Sequence, residues 1–483
     1  MQTTKKIIPI ILGTALLAGS CSDSFLDLKP KSQGSVENFY ATSADIDQAV
    51  GGAYDALQAT GQYGQNYIFF MEVRSDNTAQ ESITNSSGIY GDFDLFRVAP
   101  GNNVLDQTWR SCYAGILRCN TVLDRIDGIP MDEQTKKTRI GESKFLRALT
   151  YFNLVRIWGD VPLVVREVTN PYDAFEMGRT PTEEVYAQII ADLGDAANLL
   201  PDAYSGTDIG RATRIAALTL LGKVHLTRRE FGPAVNILQQ VVGYAEANTS
   251  RLGLLPLFAD IFKVDNKNNR ESIFEVQYRK GSNGEGSRFV NLMAPANTTQ
   301  FTNGIGTALG DNEPTEGLAE SYTPGDVRMD VTVGRIADGR TYAAKFVGQD
   351  VPALANDAGN NFIVLRYADV LLMLAEALNE TGYDGSGDGH AWDALNAVCE
   401  RAGVDVYNPA DLPNQQAFRM AIERERRLEL ACENHRWFDL LRTGRALEVM
   451  NASGGGFTVS DHQLLFPIPQ SQLDTNPDKM RQN

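Results

Sequence analysis

Residues Leu218–Val241 read LTLLGKVHLTRREFGPAVNILQQV. Within them Leu218, Leu221, Gly222, His225, Ala234, Leu238 and Val241 fall at the spacing of a helix hairpin that repeats about every 34 residues. The small residues Gly222 and Ala234 lie where the helices of such a hairpin cross, so their backbones can approach closely. Gly232-Pro233 supplies the break between the helices.

A second stretch repeats the pattern, pairing Leu374, Ala375 and Leu378 with Ala394, Val398 and Arg401, with an insertion from Gly382 to Gly389 in the turn. Helix pairs over 104–127/133–157 and 415–432/435–449 extend the series. After Ser43 the apolar period is that of a helix: Tyr113, Ile116, Leu117 and Leu123 share one stripe, and Phe145, Leu149 and Phe152 another. The expected fold is all-α, with tetratricopeptide-like helix hairpins forming a partial right-handed scaffold, long irregular loops and a few short β-hairpins. The strand signals are Leu163 to Val168, Ile273 to Tyr278, and a hairpin from Val331 to Phe346 that turns at Asp338-Gly339.

The start of the chain reads differently. Lys5 and Lys6 precede an apolar run from Ile7 to Leu17, which ends in Ala18-Gly19-Ser20-Cys21. A basic start, a short apolar core and small residues before a cut site make an export signal. The run falls short of the roughly 20 apolar residues a membrane span needs, and Pro9 and Gly13 interrupt it. Cutting before Cys21 leaves its thiol at the new terminus, where a thioether-linked lipid can be attached. Residues 1–20 are thus read as a lipoprotein signal peptide, 21–40 as a lipidated polar tether and 41–483 as the working domain.

That domain exceeds the roughly 250–300 residues at which single cores stop growing, which points to two lobes or a repeating architecture. The formal net charge is −17. Such a surface disfavours nucleic acid and anionic lipid, and suits neutral ligands or a partner with basic patches. Besides Cys21 there are Cys112, Cys119, Cys399 and Cys432. Cys112 and Cys119, seven apart on a helix, stand roughly 10 Å from each other, too far for a disulfide. No pair has the Cys/His spacing of a zinc site, so all four read as buried small hydrophobes.

Residues 60–108 and 279–327 are rich in Gly, Asn, Ser and Thr, with scattered aromatics. Loops this long are uncommon unless functional, and on a repeat scaffold they are the natural place for a binding site. A sugar is held by aromatic faces against its C–H surfaces, with amides and charged groups fixing its hydroxyls. The aromatic candidates are Tyr63, Tyr67, Tyr90, Phe93, Phe289, Phe301 and Tyr322. The polar ones are Arg74, Asp76, Asn77, Asn102 and Asn103. Each aromatic also fits the simpler role of plugging loop to scaffold.

Other motifs read as structural. Trp109, Trp158, Trp392 and Trp437 lie in helical motifs and read as packing anchors. Asn120 falls on an apolar stripe and reads as an interhelix staple. Arg147 and Arg156 read as partners of carboxylates or helix ends. The charged run from Ile422 to Phe438 has the spacing of local Glu–Arg pairs along one helix. Asp384, Ser386 and Asp388 match the opening half of an EF-hand calcium loop, but Leu395 stands where the closing bidentate Glu belongs. Calcium there would be structural, and no other cofactor is expected. There is no P-loop, no Gly-x-Ser-x-Gly and no His-Glu-x-x-His. His225, His390, His435 and His462 have no motif partner, and carboxylate pairs for glycoside hydrolysis have no fixed sequence spacing.

The run from Gly141 to Leu163, GESKFLRALTYFNLVRIWGDVPL, resembles the signature of the SusD/RagB family of surface glycan-binding lipoproteins of Bacteroidetes. The resemblance continues through Trp109 to Asn120, Pro314 to Arg328, Leu365 to Leu378, Glu423 to Arg442, Phe466-Pro-Ile-Pro469 and Asn476-Pro477. It implies an outer-membrane protein, lipid-anchored at Cys21 and facing the exterior. Such a protein captures an oligosaccharide or another small nutrient, passes it to a SusC-like TonB-dependent transporter, and is not an enzyme. The absence of loop tryptophan argues against starch as cargo. The alternatives from the residues alone are a lipoprotein glycoside hydrolase or lyase on a helical scaffold, and a tetratricopeptide adaptor that binds protein.

Overall fold

The computed structural model describes residues 40–82, 84, 88–281 and 284–483. The signal segment, Cys21 and nearly all of the tether lie outside the described residues.

The helices that carry the fold are α1 (Ser43–Gln58), α2 (Asn103–Arg125), α3 (Glu133–Trp158), α4 (Thr182–Leu199), α5 (Arg214–Thr227), α6 (Phe231–Ala247), α7 (Tyr367–Thr381), α8 (His390–Ala402), α9 (Gln415–Glu429) and α10 (Arg436–Arg442). From α1 to α8 each packs on the next, and α9 packs on α7. Short polar side chains start several of them. Thr42 and Asp45 form a reciprocal capping box on α1, Asp132 accepts the Thr135 N–H at 2.8 Å on α3, and Asn414 accepts the Ala417 N–H at 2.9 Å on α9; each satisfies an amide the helix itself cannot. The hairpin read from Leu218–Val241 is α5–α6. A Cβ on Gly222 would come within 2.6 Å of Leu238, so the helices meet there as closely as the sequence implied. The second hairpin is α7–α8, with Leu374, Ala375, Ala394 and Val398 buried between them. All four tryptophans are buried, and Cys112, Cys119, Cys399 and Cys432 are buried and unpaired. No helix among the described residues is long and apolar enough to cross a membrane.

Three readings of the sequence need correction. The strand expected over Leu163–Val168 has no ladder. Helix side chains take its backbone groups instead: Val164 N–H donates to the Tyr151 hydroxyl (2.7 Å), Asn120 Nδ2 donates to the Val164 and Arg166 carbonyls (2.9 and 3.0 Å), and Arg147 Nη1 to the Val165 carbonyl (3.0 Å). Asn120 is thus a staple, and Arg147 holds Asp192 through two bonds of 2.8 and 2.7 Å.

The strands are not all local hairpins. β1 (Thr78–Ala79) pairs with β3 (Glu313–Pro314), β2 (Ser272–Val276) with β6 (Phe362–Arg366), and β4 (Val333–Arg335) with β5 (Thr341–Ala343), all antiparallel. Only β4–β5 joins neighbours in sequence. β6 is buried along its whole length, and a continuous apolar run leading straight into α7 hides a strand from periodicity.

The charged run, broken between helices as the 415–432/435–449 pair implied, does not make the local pairs its spacing suggested. α9 ends at Glu429, Cys432 and Asn434 take positive φ, and α10 begins at Arg436. Its charges reach across the molecule. Arg366 binds Glu271, Glu429 and Glu433, Arg328 binds Asp326, Glu425 and Glu429, and Lys345 binds Glu433, all within the interior. Such groups enter a core only when paired on every side.

Candidate functional site

The turn between α9 and α10 sets the position of the candidate site. The N–H groups of Cys432 and Asn434 both point at the buried carboxylate of Glu72, at 2.9 and 2.8 Å, forming a small anion-binding concavity. Burial pushes Glu72 up to about 7, against the pull of those N–H groups. Four residues on, Asp76 takes Arg436 at 2.7 and 3.0 Å and Arg427 at 3.1 Å. Burial opposes its charge, yet Arg436 and Arg427 hold it below the ordinary range. Residues 72–77 are thereby pinned to the core, and β1 leaves them to pair with β3. Beyond the strands the Glu81 N–H donates to the Gly310 carbonyl at 3.0 Å.

This crossing carries two sets of aromatic faces. On one side the half-exposed ring of Tyr90 stacks on buried Phe69, with centroids 4.4 Å apart and planes 14° apart. Gln65 Nε2 donates to its hydroxyl at 3.0 Å. Asn102 donates to the Ile89 carbonyl at 2.9 Å and caps α2 through Val104 N–H at 3.0 Å. On the other side Phe301 and Tyr342 form a tilted pair 4.6 Å apart. The Tyr342 ring lies over Gly334, where a Cβ would come within 2.1 Å of it; only glycine fits beneath.

Polar groups lie between. Gln80 N–H donates to Asp94 at 3.1 Å, and its amide bonds Asp311. Burial pushes both carboxyls up to about 6, with Gln80 working against it. Arg288 is half-buried, its side chain makes no hydrogen bond or ion pair among the described residues, and it acts by its charge on Asp311. Glu81 accepts from Ala296 N–H and from Arg340, both at 2.7 Å, and Arg340 also donates to the Ala296 carbonyl at 2.8 Å. Rigid aromatic faces alternating with oriented donors and acceptors can lie against the C–H faces of a ring and read its hydroxyls.

The sequence candidates divide sharply on this geometry. Tyr90 and Phe301 are at the face, Asn102 supports it, and Asn103 is exposed beside it as the first residue of α2. The others serve the interior. Tyr67, Phe93 and Phe289 are fully buried, and Tyr63 and Tyr322 nearly so. Tyr322 donates to the Leu428 carbonyl at 2.9 Å, and Tyr67 meets Cys112 Sγ at 3.2 Å. Arg74 lies between the Phe96 and Phe466 rings, 4.0 and 4.4 Å from their centroids, and burial lowers it to about 9. Asp76 has its arginines, and Asn77 bridges Glu72 (3.4 Å) and Arg427 (2.9 Å).

Residues 60–108 and 279–327 are therefore not free loops over their length. The first contains the buried helix Tyr67–Met71, and the second contains Phe289–Met293 and β3. Most of their aromatics serve the core, and the exposed residues fall mainly in short stretches, about 97–107 in the first and 279–281, 284–285, 297–307 and 316–327 in the second. Gln65, Gln80, Glu81, Asp94, Arg288, Asp311, Arg340 and Tyr342 were not legible in sequence, since the pairings that gather them have no fixed spacing, from 14 positions for Gln80–Asp94 to 259 for Glu81–Arg340.

At the proposed calcium loop Asp384 accepts the Ser386 N–H at 2.9 Å and Ser386 donates to the Asp388 carbonyl at 3.2 Å. These bonds close the turn on itself. No group of three His, Cys, Asp or Glu side chains placed to hold a metal occurs among the described residues.

A helical-repeat scaffold presenting an aromatic and polar face defines a binding module. Two family models match the two ends of the chain: one described as starch-binding, associating with outer membrane, over residues 24–226, and one as the SusD family over residues 337–483. The chain belongs to the SusD family. It is similar to a SusD-like protein of Formosa agariphila, 28% identical over 519 residues and 99% of each chain. It is also similar to a SusD-like protein of Bacteroides ovatus, 28% identical over 483 residues, 92% of this chain and 83% of that one. Among solved structures, a laminarin-binding SusD-like protein superposes with a TM-score of 0.77 at 27% identity, covering 92% of this chain and 99% of that one. A surface glycan-binding protein of Bacteroides thetaiotaomicron, solved with laminarihexaose, shares the fold with a TM-score of 0.77 at 22% identity, covering 92% of this chain and all of the other.

Proposed function

We propose that this chain captures an oligosaccharide at the cell surface through the Tyr90/Phe301/Tyr342 face and delivers it to a SusC-like TonB-dependent transporter in the outer membrane, without chemical turnover. The observation that carries the reading is Tyr90: a ring held flat by Phe69, oriented by Gln65 and left half-exposed at the start of the short helix that carries Asp94. The similarity to a protein named for laminarin binding supports a neutral glucan as cargo. Lipid attachment at Cys21 and a position facing the exterior belong to the same proposal.

Glycoside hydrolysis has one observation in its favour, the raised carboxyls of Asp94 and Asp311 about Gln80. Against it, Asp311 is sealed beneath the face with its oxygen on Gln80, so the two do not flank a bond that a substrate could offer. Calcium at Asp384 and Asp388 would brace the α7–α8 turn and is not needed for capture.

The test is affinity electrophoresis and calorimetry against soluble polysaccharides, with product analysis for new reducing ends. If a sugar covers about 50 Å² of the Tyr90 ring at about 25 cal/mol per Å², the ring contributes ~1.3 kcal/mol. Tyr90→Ala then weakens binding about tenfold and leaves thermal stability nearly unchanged. Normal binding by this variant, or turnover abolished by Asp94→Asn, refutes the reading.

A further inference from the structure

Two clefts among the described residues are lined by none of Tyr90, Phe301 and Tyr342. One of about 380 Å³ runs between the α4–α5 connection, the C-terminal end of α6 and the start of β2; a second of about 260 Å³ lies against α1. They share Ile209, Gly210, Arg211, Phe274 and Glu275 as walls, so they are two halves of one groove. The larger is within the range of small-ligand sites, about 300–1,000 Å³. Gly210 has φ +99°, and a Cβ there would come within 2.7 Å of Gln277. That close seat keeps the shared wall low and leaves Ile209 half-exposed above it.

The chemistry of the groove selects its occupant. Two of its three arginines are already spent: Arg211 on Asp208 (2.8 Å) and Glu142 (3.3 Å), and the Arg270 amino groups on the Thr249 and Leu254 carbonyls (3.2 and 2.6 Å). Its buried carboxylate, Glu275, takes Asn268 N–H and Asn361 (3.0 and 2.7 Å). An anionic ligand would find one guanidinium without a partner among the described residues, Arg251, at the exposed rim. Besides the exposed carboxylates of Asp55, Asp202 and Glu285, what remains open is neutral: the half-exposed rings of Tyr204 and Tyr244, the Ile209 side chain, and the hydroxyls of Tyr244 and Ser250. Ring faces with scattered hydroxyls suit an uncharged sugar.

One segment links the groove to the first face: Glu285 lines the groove's smaller half, and Arg288, three residues on, acts by its charge on Asp311 beneath Gln80. Three residues span at most about 11 Å.

We propose that this groove is a second saccharide subsite, contiguous with the first, which grips the extension of a glycan chain too long for the Tyr90 face. The proposal rests on the glycan reading above. Joining two weak contacts on one polymer multiplies affinity without strengthening either.

The test compares chain lengths. Full-length protein is titrated with laminarin, starch, xylan and mannan, and then with the trisaccharide of each polymer bound. Two variants are used: Tyr244→Ala, and Ile209→Asp on the exposed turn, where folding is not at risk. Each is expected to weaken polymer binding about tenfold or more and to leave the trisaccharide within about twofold. Polymer affinity unchanged in either folded variant overturns the subsite, as does equal loss for both lengths or a wild type that binds polymer no better than trisaccharide. Failure of the wild type to bind any of the polymers overturns this proposal together with the glycan reading, and so is distinguishable from failure of the subsite alone.

Discussion

Replacing Glu429 by glutamine keeps the shape of a side chain at the centre of the buried charge network and removes its charge. Its carboxylate is fully buried and accepts from Arg366 at 2.6 Å, from Arg401, and from Arg328 at 3.4 Å. Burial by itself would push this carboxyl up, but Arg401, Arg366 and Arg328 together hold it well below the ordinary range. Breaking a buried pair from one side costs about 3–5 kcal/mol, because charge is left in the interior uncompensated. No guanidinium is stripped completely here. Arg366 keeps Glu271 and Glu433, Arg401 keeps Glu271, and Arg328 keeps Asp326 and Glu425. The glutamine oxygen still accepts one bond. The loss therefore falls at the low end, about 3 kcal/mol.

The sign of its pH dependence follows from linkage. A depressed carboxyl stabilises the fold fully above its unfolded value of 4.5 and loses that contribution as pH falls toward the folded value. The gap between wild type and Glu429→Gln is widest at pH 7.5 and closes as pH falls below about 4.5. Urea unfolding followed by tryptophan fluorescence measures it, with exposed Glu400→Gln on α8 as control. A gap below about 1 kcal/mol at pH 7.5, or one that does not shrink on acidification, refutes the view that this network carries charge inside the fold.

Two further outcomes are expected. His435 accepts from Lys223 at Nδ1 (2.8 Å), and burial, with Lys223 next, lowers it to about 3 from 6.5. Acid below about pH 6.5 then favours the unfolded chain, whereas Glu72, raised from 4.5 to about 7, gains folded stability on acidification over the same window. The melting temperature at pH 5 relative to pH 7.5 should rise in His435→Gln and fall in Glu72→Gln; the opposite ordering contradicts the assignment. Cys21→Ala should abolish palmitate labelling and membrane retention and lose co-purification with a much larger TonB-dependent transporter, and retention of all three would remove the anchor from the proposal.

The fold and the site are joined through one turn. Glu72 and Asp76 tie the segment leading into β1 to residues 432–436, and Glu429 and Glu433 beside that turn are held by Arg366 at the end of β6. The Gln80 crossing, where the aromatic faces meet, thus hangs from the buried charge network and not from an apolar stripe. This arrangement explains why so much polar sequence in 60–80 is interior.

The sequence by itself determined the helical repeat. Helix formation and hairpin packing are local, and residues three, four and about 34 positions apart carry the information, so α5–α6, α7–α8, the Trp anchors and the Asn120 staple were all legible. It also supplied Tyr90 and Phe301 as site candidates. Only the tertiary structure decided which aromatics face solvent, because burial depends on what packs from elsewhere in the chain. Tyr67, Phe93 and Phe289 have the same local composition around them as Tyr90, yet Phe93 packs on Phe466, Phe289 on Phe362, and Tyr67 on Cys112 of α2. Charge was hidden in the same way: the Glu–Arg spacing of 422–438 fits local pairs, and long-range geometry assigned those side chains to partners as far as 360 residues away. Pairings across such distances leave no periodic trace, so the polar half of the candidate site became visible only where β1 meets β3.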